Sequence, residues 1–411
     1  MKKIGIAAAL SSLVLLQLSC TKENIPALPA SYDNVVVLYS CAYNNLSSSI
    51  LDNMDKICGG PLPMKSDRSA LVWITHNADS NYDWSTPTRP SIIRVTSDWS
   101  GAPVLDTLKQ YDSGVSLTDT DIMRDALLYV GDNFKSSHYG LVYSSHGTGW
   151  LPQGYYEKSV SGVFPAAPEF MIPHYEDIML KSIGATYSST PHYTSSEMEI
   201  GDLASAIPIH LDYIIFDACL MGGVEVAYEL RNVTDMIGFS QAEVLATGFD
   251  YSTFARRLLV ENDPESWCED YFNLYMAETG RNQSATISVV SCDALEPLAL
   301  VCARLFEKYR SEIAALDPDS VQGFFRLERH YFYDLEDIFV KAGASEADLG
   351  SLRDALRACV LYEAHTPEFL LWFAINTSCG LSSFLPAAES DVALRDFYKT
   401  LAWNKATGFV E

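Results

Sequence analysis

Gly140-Leu141-Val142-Tyr143-Ser144-Ser145 runs into His146-Gly147, and Tyr213-Ile214-Ile215-Phe216 runs into Asp217-Ala218-Cys219. Each is a short apolar run of aromatic and β-branched residues, the signature of a buried strand, and each ends in a reactive side chain. If the two runs are parallel neighbours in one sheet, the imidazole and the thiol emerge at the same carboxyl edge. That edge is where open α/β sheets place their active sites. A cysteine and a histidine brought together there make a nucleophile and its proton partner. Taken singly, Cys219 reads as a buried structural thiol and His146 as a satisfied or surface histidine. Their matching positions at two strand ends favour the chemical reading. So does Gly147, whose missing side chain lets the backbone approach a ligand closely and whose N–H is a candidate oxyanion donor.

Outward from this pair, short apolar runs alternate with helical patterns. Residues 35–39, 70–75 and 92–95 read as strands ahead of the His146 run, and 236–239 as a strand after the Cys219 run. Thr118-Asp119-Thr120-Asp121 opens a helix with Met123, Ala126, Leu127 and Val130 at helical spacing. Residues 200–207 and 224–230 read as helices on either side of the Cys219 strand. The alternation predicts an α/β fold: a mostly parallel sheet with helices on both faces. Residues 31–250 form the expected catalytic unit. Residues 251–411 form an α/β region packed on it and largely helical by pattern, with helices at 264–279, 295–316 and 346–362 and strands at 285–290 and 381–385. Residues 150–197, rich in Tyr, Ser, Thr and Pro, are long for a structureless connection and read as a flap or a cleavable loop.

The 411 residues, 48% hydrophobic, suffice for one large domain or two. A net charge of −25 argues against nucleic acid as a partner, because phosphate binding requires a basic face. Lys2-Lys3 followed by the apolar stretch 4–18 reads as a signal peptide over 1–19, too short to span a membrane. Leu16-Gln17-Leu18-Ser19-Cys20 resembles a bacterial lipobox, with Gln17 where an aliphatic residue is usual. Cys20 then takes lipid, and residues 20–30 become a tether from the membrane. The expected location is outside the cytoplasm, anchored to a bacterial membrane. The other eight cysteines form no CxxC pair, which indicates neither a zinc knuckle nor a dense disulfide scaffold. Cys41, Cys302 and Cys359 read as buried thiols, and one or two disulfides are compatible with the spacing.

The two strand endings resemble the His-Gly and Ala-Cys segments of the caspase-like cysteine peptidases. More narrowly, Tyr143–Trp150, Phe216–Met221 and Val224–Leu230 are similar to the clostripain family. Softer similarities run from Val37-Leu38-Tyr39 to Cys379-Gly380-Leu381-Ser382-Ser383-Phe384-Leu385-Pro386. The resemblance implies an endopeptidase acting on protein or peptide substrates, with Cys219 as nucleophile, His146 as proton-transfer partner, and the N–H groups of Gly147 and Cys219 as oxyanion donors. It implies no cofactor beyond the calcium associated with clostripain, for which no calcium loop is visible here. The family commonly takes Arg or Lys before the scissile bond. Asp217 matches one acid of that pocket and reads equally well as a turn hydrogen-bonder. Thr247 stands where a second acid is usual, and Asp250 or Glu243 are the available substitutes. Members are often zymogens cut between the two catalytic strands, which points to self-cleavage at Lys158. A competing reading is a non-catalytic surface lipoprotein that keeps the fold as a binding module.

Overall fold

β1 (Asn34–Ala42) is buried along its whole length and lies inside a nine-stranded sheet. Its run Val35-Val36-Val37-Leu38-Tyr39 is the near-continuous apolar type expected of a strand covered on both faces. The computed structural model describes residues 28–44, 46–77, 89–155, 197–325 and 331–411. The expected signal peptide, Cys20, Lys158 and most of the 150–197 stretch lie outside the described residues.

The other strands are β2 (Ser69–Asn77), β3 (Ser91–Ser97), β4 (Pro103–Gln110), β5 (Tyr139–Ser144), β6 (Leu211–Asp217), β7 (Thr234–Phe239), β8 (Thr286–Ser291) and an edge strand Val360–His365. From that edge strand the order is β8, β7, β6, β5, β1, β2, β3, β4. The five strands β7-β6-β5-β1-β2 are parallel, and two antiparallel strands extend the sheet at each side. The α/β class expected from the alternation is the one observed.

The crossovers explain where the helices sit. The connection from β1 to β2 through Ser47–Cys58 moves one way across the sheet. Those into β5, β6 and β7 through Thr120–Asn133, Ile200–Ala206 and Val224–Leu230 move the other way. Right-handed crossovers then put the first helix on one face and the other three on the opposite face. The contacts agree: Thr120–Asn133, Ile200–Ala206, Val224–Leu230 and Leu295–Lys308 form one chain of neighbours, whereas Ser47–Cys58 packs against Tyr251–Phe254. Asp119 caps Thr120–Asn133 by accepting from the N–H groups of Asp121 and Ile122.

Several expectations need correction. The helix expected at 346–362 ends at Cys359, and Val360–His365 turns into the outermost strand, antiparallel to β8. Pairing with an open strand edge outweighs the helical spacing there. The helix expected at 295–316 breaks at Tyr309 into Leu295–Lys308 and Arg310–Ala314. Of 381–385 only Ser382–Ser383 forms a ladder, against Tyr333–Asp334. β4 was not legible, because its side chains are all at least partly exposed and half of them are polar. All eight cysteines from Cys41 to Cys379 are free thiols. Cys41, Cys302 and Cys359 are buried as expected, and burial pushes the Cys41 thiol up to about 12.

Residues 379–383 are tied to Tyr333–Asp334 and to the turn that follows Cys219. Asp334, fully buried, accepts from the N–H groups of Asp337 (2.8 Å) and Cys379 (2.6 Å), and Ser382 N–H donates to the Gly222 carbonyl (2.9 Å). Burial pushes the Asp334 carboxyl up to about 6. Its folded pKa therefore lies above the unfolded value, so its contribution is complete below about pH 4 and is lost as pH rises through about 6. The stability of wild type relative to Asp334→Asn should fall by about 2–3 kcal/mol between pH 4 and pH 7. Paired urea titrations across that range measure the difference, and a flat difference would contradict the assignment.

Candidate active site

β5 and β6 pair in parallel with Tyr143 opposite Phe216 and Ser144 opposite Asp217. The ladder continues one step further, as Ser145 N–H donates to the Asp217 carbonyl at 3.4 Å. His146 and Cys219 each stand two residues beyond the Ser144–Asp217 pair, so the two residues expected to act together leave the sheet side by side at its carboxyl edge. Gly147 is pressed onto the cysteine backbone. A Cβ on Gly147 would lie 2.4 Å from the Cys219 carbonyl oxygen and 3.1 Å from the Ala218 Cβ. A side chain there would push the two strand exits apart. Gly149, at φ +63°, is packed against the Leu220 carbonyl and the Phe332 ring in the same way.

The chain turns sharply after the cysteine. Leu220 has φ +62°, a left-handed conformation that is uncommon for a residue with a side chain and costs of order 1–3 kcal/mol. Hydrogen bonds from Leu220 N–H to the Ala242 carbonyl (2.9 Å) and from Gly222 N–H to the Ser240 carbonyl (2.7 Å) hold the turn. These contacts bring residues 240–244 over the sulfur. Val244 N–H donates to Cys219 Sγ at 3.1 Å, and the thiol faces the Val244 carbonyl at 3.6 Å. Cys219 has no exposed surface and His146 is 7% exposed. A cavity of about 50 Å³ opens beside the histidine, lined by Tyr143, His146, Gly147, Thr148 and Met221 among others, and Cys219 does not line it.

The loops after His146 and Cys219 are both braced by residues 383–398. Four residues after His146, the buried Trp150 packs edge-on against Phe384 (5.1 Å) and Tyr398 (5.0 Å). Six residues after Cys219, Glu225 lies in the first turn of the helix Val224–Leu230. It is fully buried, and its Oε1 accepts from Ser383 Oγ (2.9 Å), Phe384 N–H (2.9 Å) and Tyr398 Oη (2.6 Å). Burial pushes the Glu225 carboxyl up, and the three donors pull it back down. The segment 383–398 thereby anchors the histidine loop through aromatic packing and the cysteine loop through one carboxylate.

The expected pocket residues lie apart in character. Asp217 is fully buried, and its Oδ2 accepts from Ser144 Oγ (2.9 Å) and Tyr251 Oη (2.6 Å). Thr247 is exposed and its hydroxyl reaches the Tyr275 phenol. Asp250 accepts from Ser252 N–H and Oγ at the start of Tyr251–Phe254, so its carboxylate serves as a helix cap. Glu243 is buried beside Val244. Tyr251, the Val244 cover and the Leu220 turn carry no sequence motif and were not anticipated. A left-handed leucine has no signature, and one tyrosine among 23 stands out only when its partner is known. Among the described residues, no group of three or more His, Cys, Asp or Glu side chains is placed to hold a metal ion.

Residues 190–343 match the clostripain family. That stretch contains Cys219 and begins after His146, so the place of the histidine rests on the sheet geometry. The chain is similar to the solved structure of an inactive zymogen C11 protease from Parabacteroides distasonis, with 26% identity, a TM-score of 0.73, and 93% of this chain and 99% of that one covered. It shares the fold of a secreted C11 cysteine protease from Bacteroides thetaiotaomicron (22% identity, TM-score 0.72, 92% and 100% covered). A second structure from the same organism, a secreted C11 cysteine protease in complex with an irreversible peptide inhibitor, also shares it (20% identity, TM-score 0.71, 92% and 99% covered). No curated protein matches the chain.

Gly147→Ala should destabilise the protein by about 1–3 kcal/mol, because its methyl must displace the Cys219 carbonyl. Thermal denaturation reads the loss. A variant as stable as wild type would show that the two exits are not in contact.

Proposed function

We propose that the chain is a cysteine peptidase of the clostripain family, whose model matches residues 190–343, with Cys219 as its nucleophile and His146 as its proton-transfer partner. The observation that carries this reading is the in-register pairing of β5 and β6, which delivers both residues to one rim with Gly147 against the Cys219 carbonyl. The thiolate attacks the substrate carbonyl, and the N–H groups of Gly147 and Cys219 hold the oxyanion. Collapse of the tetrahedral intermediate breaks the C–N bond, and His146 gives its proton to the departing amine. His146 then takes a proton from the water that attacks the thioester, which releases the new carboxyl end and restores the thiol. The enzyme is an endopeptidase acting on proteins or peptides. Its catalytic unit comprises residues 31–250, and residues 251–411 pack on it as a brace.

The enclosed sulfur supports a latent intact chain. A peptide carbonyl cannot reach Cys219 until the segment around Val244 moves. Cleavage at Lys158, in the connection between the two catalytic strands, is the releasing event of this reading. The protein is exported by the signal peptide 1–19 and held at a membrane through lipid on Cys20, with residues 20–30 as tether.

Cys219→Ala should abolish peptide hydrolysis and self-cleavage together, whereas turnover surviving in this variant would remove the dyad. Iodoacetamide at neutral pH should label Cys219 in the cleaved enzyme at least about tenfold faster than in the intact chain; equal rates would show that the cover does not control access. Lys158→Ala should keep the chain a single band on a denaturing gel, and two bands would move the cut elsewhere. Cys20→Ser should shift the protein from the membrane to the soluble fraction of fractionated cells, and unchanged partition would contradict the anchor.

A further inference from the structure

The edge strand Val360–His365 ends at the same rim as the proposed dyad. It is antiparallel to β8, and β8 is antiparallel to β7. It therefore runs parallel to β5 and β6, and His365 leaves the sheet at their carboxyl edge. Three strand spacings of about 4.8 Å separate it from β6, so its exit lies about 14 Å along the rim from that of Cys219. Directly after it the chain forms a short hairpin, Glu368–Phe369 against Phe373–Ala374, with Leu370, Leu371 and Trp372 as the tip. The foot of the hairpin is fastened to the residues that open β8. Thr366 N–H donates to the Ala285 carbonyl (2.9 Å), Ala285 N–H to Thr366 Oγ1 (3.0 Å), and Leu370 N–H to Ser284 Oγ (2.6 Å). The next residue, Thr286, accepts at Oγ1 from Ala242 N–H (2.9 Å), in the segment that covers the sulfur. In strand order, that segment lies between the hairpin and Cys219.

The tip combines strain with exposure. Leu370 and Leu371 are both left-handed, at φ +52° and +59°, a conformation uncommon for residues with a bulky side chain. Leu370 turns inward and is buried, but Leu371 is 60% exposed and Trp372 51% exposed. The strain at Leu371 therefore returns little packing, and a glycine would adopt the same turn without it. What the leucine adds is an apolar side chain in solvent beside a tryptophan. Both stand on a base locked by backbone hydrogen bonds and by the stacked Phe369 and Phe373 rings (5.5 Å). Strained backbone of this kind clusters where ligands are clamped, and a rigid tryptophan is a common anchor of binding surfaces.

We infer that Leu371 and Trp372 form a specificity subsite that takes an apolar side chain of the substrate about four residues before the scissile bond, a reading that rests on the dyad assigned above. The distance sets the position, because an extended peptide advances about 3.3 Å per residue and covers about 14 Å in about four. The direction follows from the pocket expected for the residue before the scissile bond. Its candidates Thr247 and Asp250 follow β7, on the hairpin's side of Cys219. A peptide running from that pocket along the rim reaches the hairpin tip with its upstream end.

The test uses the cleaved full-length enzyme and internally quenched peptides alike in all but one residue. One series carries Phe, Leu or Ala fourth before the scissile bond, and a second carries them fourth after it. Wild type should cleave the Phe and Leu peptides of the first series with kcat/KM about 10-fold above the Ala peptide, and should not discriminate in the second. In Trp372→Ala and in Leu371→Gly that ratio should fall to about 1–2. Leu371→Gly relieves the left-handed strain, so a thermal midpoint at least as high as wild type's separates loss of the subsite from loss of the fold. Trp99→Ala removes a 92% exposed tryptophan from the turn between β3 and β4, at the opposite rim, and should leave the ratio unchanged. A preference that survives both hairpin variants would overturn the inference. So would one confined to the second series, or equal rates for all three residues in wild type. Fluorescence anisotropy of the labelled peptides on cleaved enzyme alkylated at Cys219 reads the same subsite without turnover, and should show the same preference and the same loss. Turnover in the Cys219→Ala control would defeat the dyad and leave that binding result standing, so the two failures are distinguishable.

Discussion

The parallel pairing of β5 with β6 is the constraint on which the site depends. Hydrogen-bond register in a parallel ladder fixes relative height, so Ser144 opposite Asp217 places every later residue of both strands at a known level. A slip of two residues would leave the apolar faces buried and still separate His146 from Cys219 by two residues' length of strand. The register is held twice, by the ladder and by the Asp217 carboxylate reaching Ser144. Gly147 holds the two strand exits in contact, since nothing larger than hydrogen fits against the Cys219 carbonyl.

Around this pairing the molecule restrains both loops without exposing the sulfur. The left-handed Leu220 turn and its hydrogen bonds to residues 240–242 fold the cover over Cys219. The histidine loop is fixed elsewhere, by Trp150 among Phe384 and Tyr398. The helix after the cysteine is fixed on the same C-terminal segment through Glu225. The cover and the C-terminal segment are themselves joined, as Gln241 Nε2 donates to the Gly380 carbonyl.

The strands and helices of the first 250 residues were largely legible because their patterns are strong. β1, β2, β5, β6 and β7 are runs of β-branched and aromatic residues, and the helix capped by Asp119 announces itself by its cap and spacing. The C-terminal region was read less well. Residues 346–362 share one helical periodicity, yet the last of them pair with β8, because an open sheet edge offers backbone partners that local spacing does not register. β4, half polar and nowhere fully buried, carries no alternation of apolar and polar residues to read.

The sequence by itself singled out the residues proposed to hold the chemistry. His146, Gly147 and Cys219 stand at the ends of apolar runs, and their residue types define what they can do. It also identified Asp217 as notable, without determining its role. Only the tertiary structure decided that the sulfur is enclosed by Val244 and that the Asp217 carboxylate faces Ser144 and Tyr251. Reactivity is a property of a side chain, legible wherever the residue stands. Access and hydrogen-bond partnership are properties of pairs far apart in the chain, and folding alone brings those pairs together.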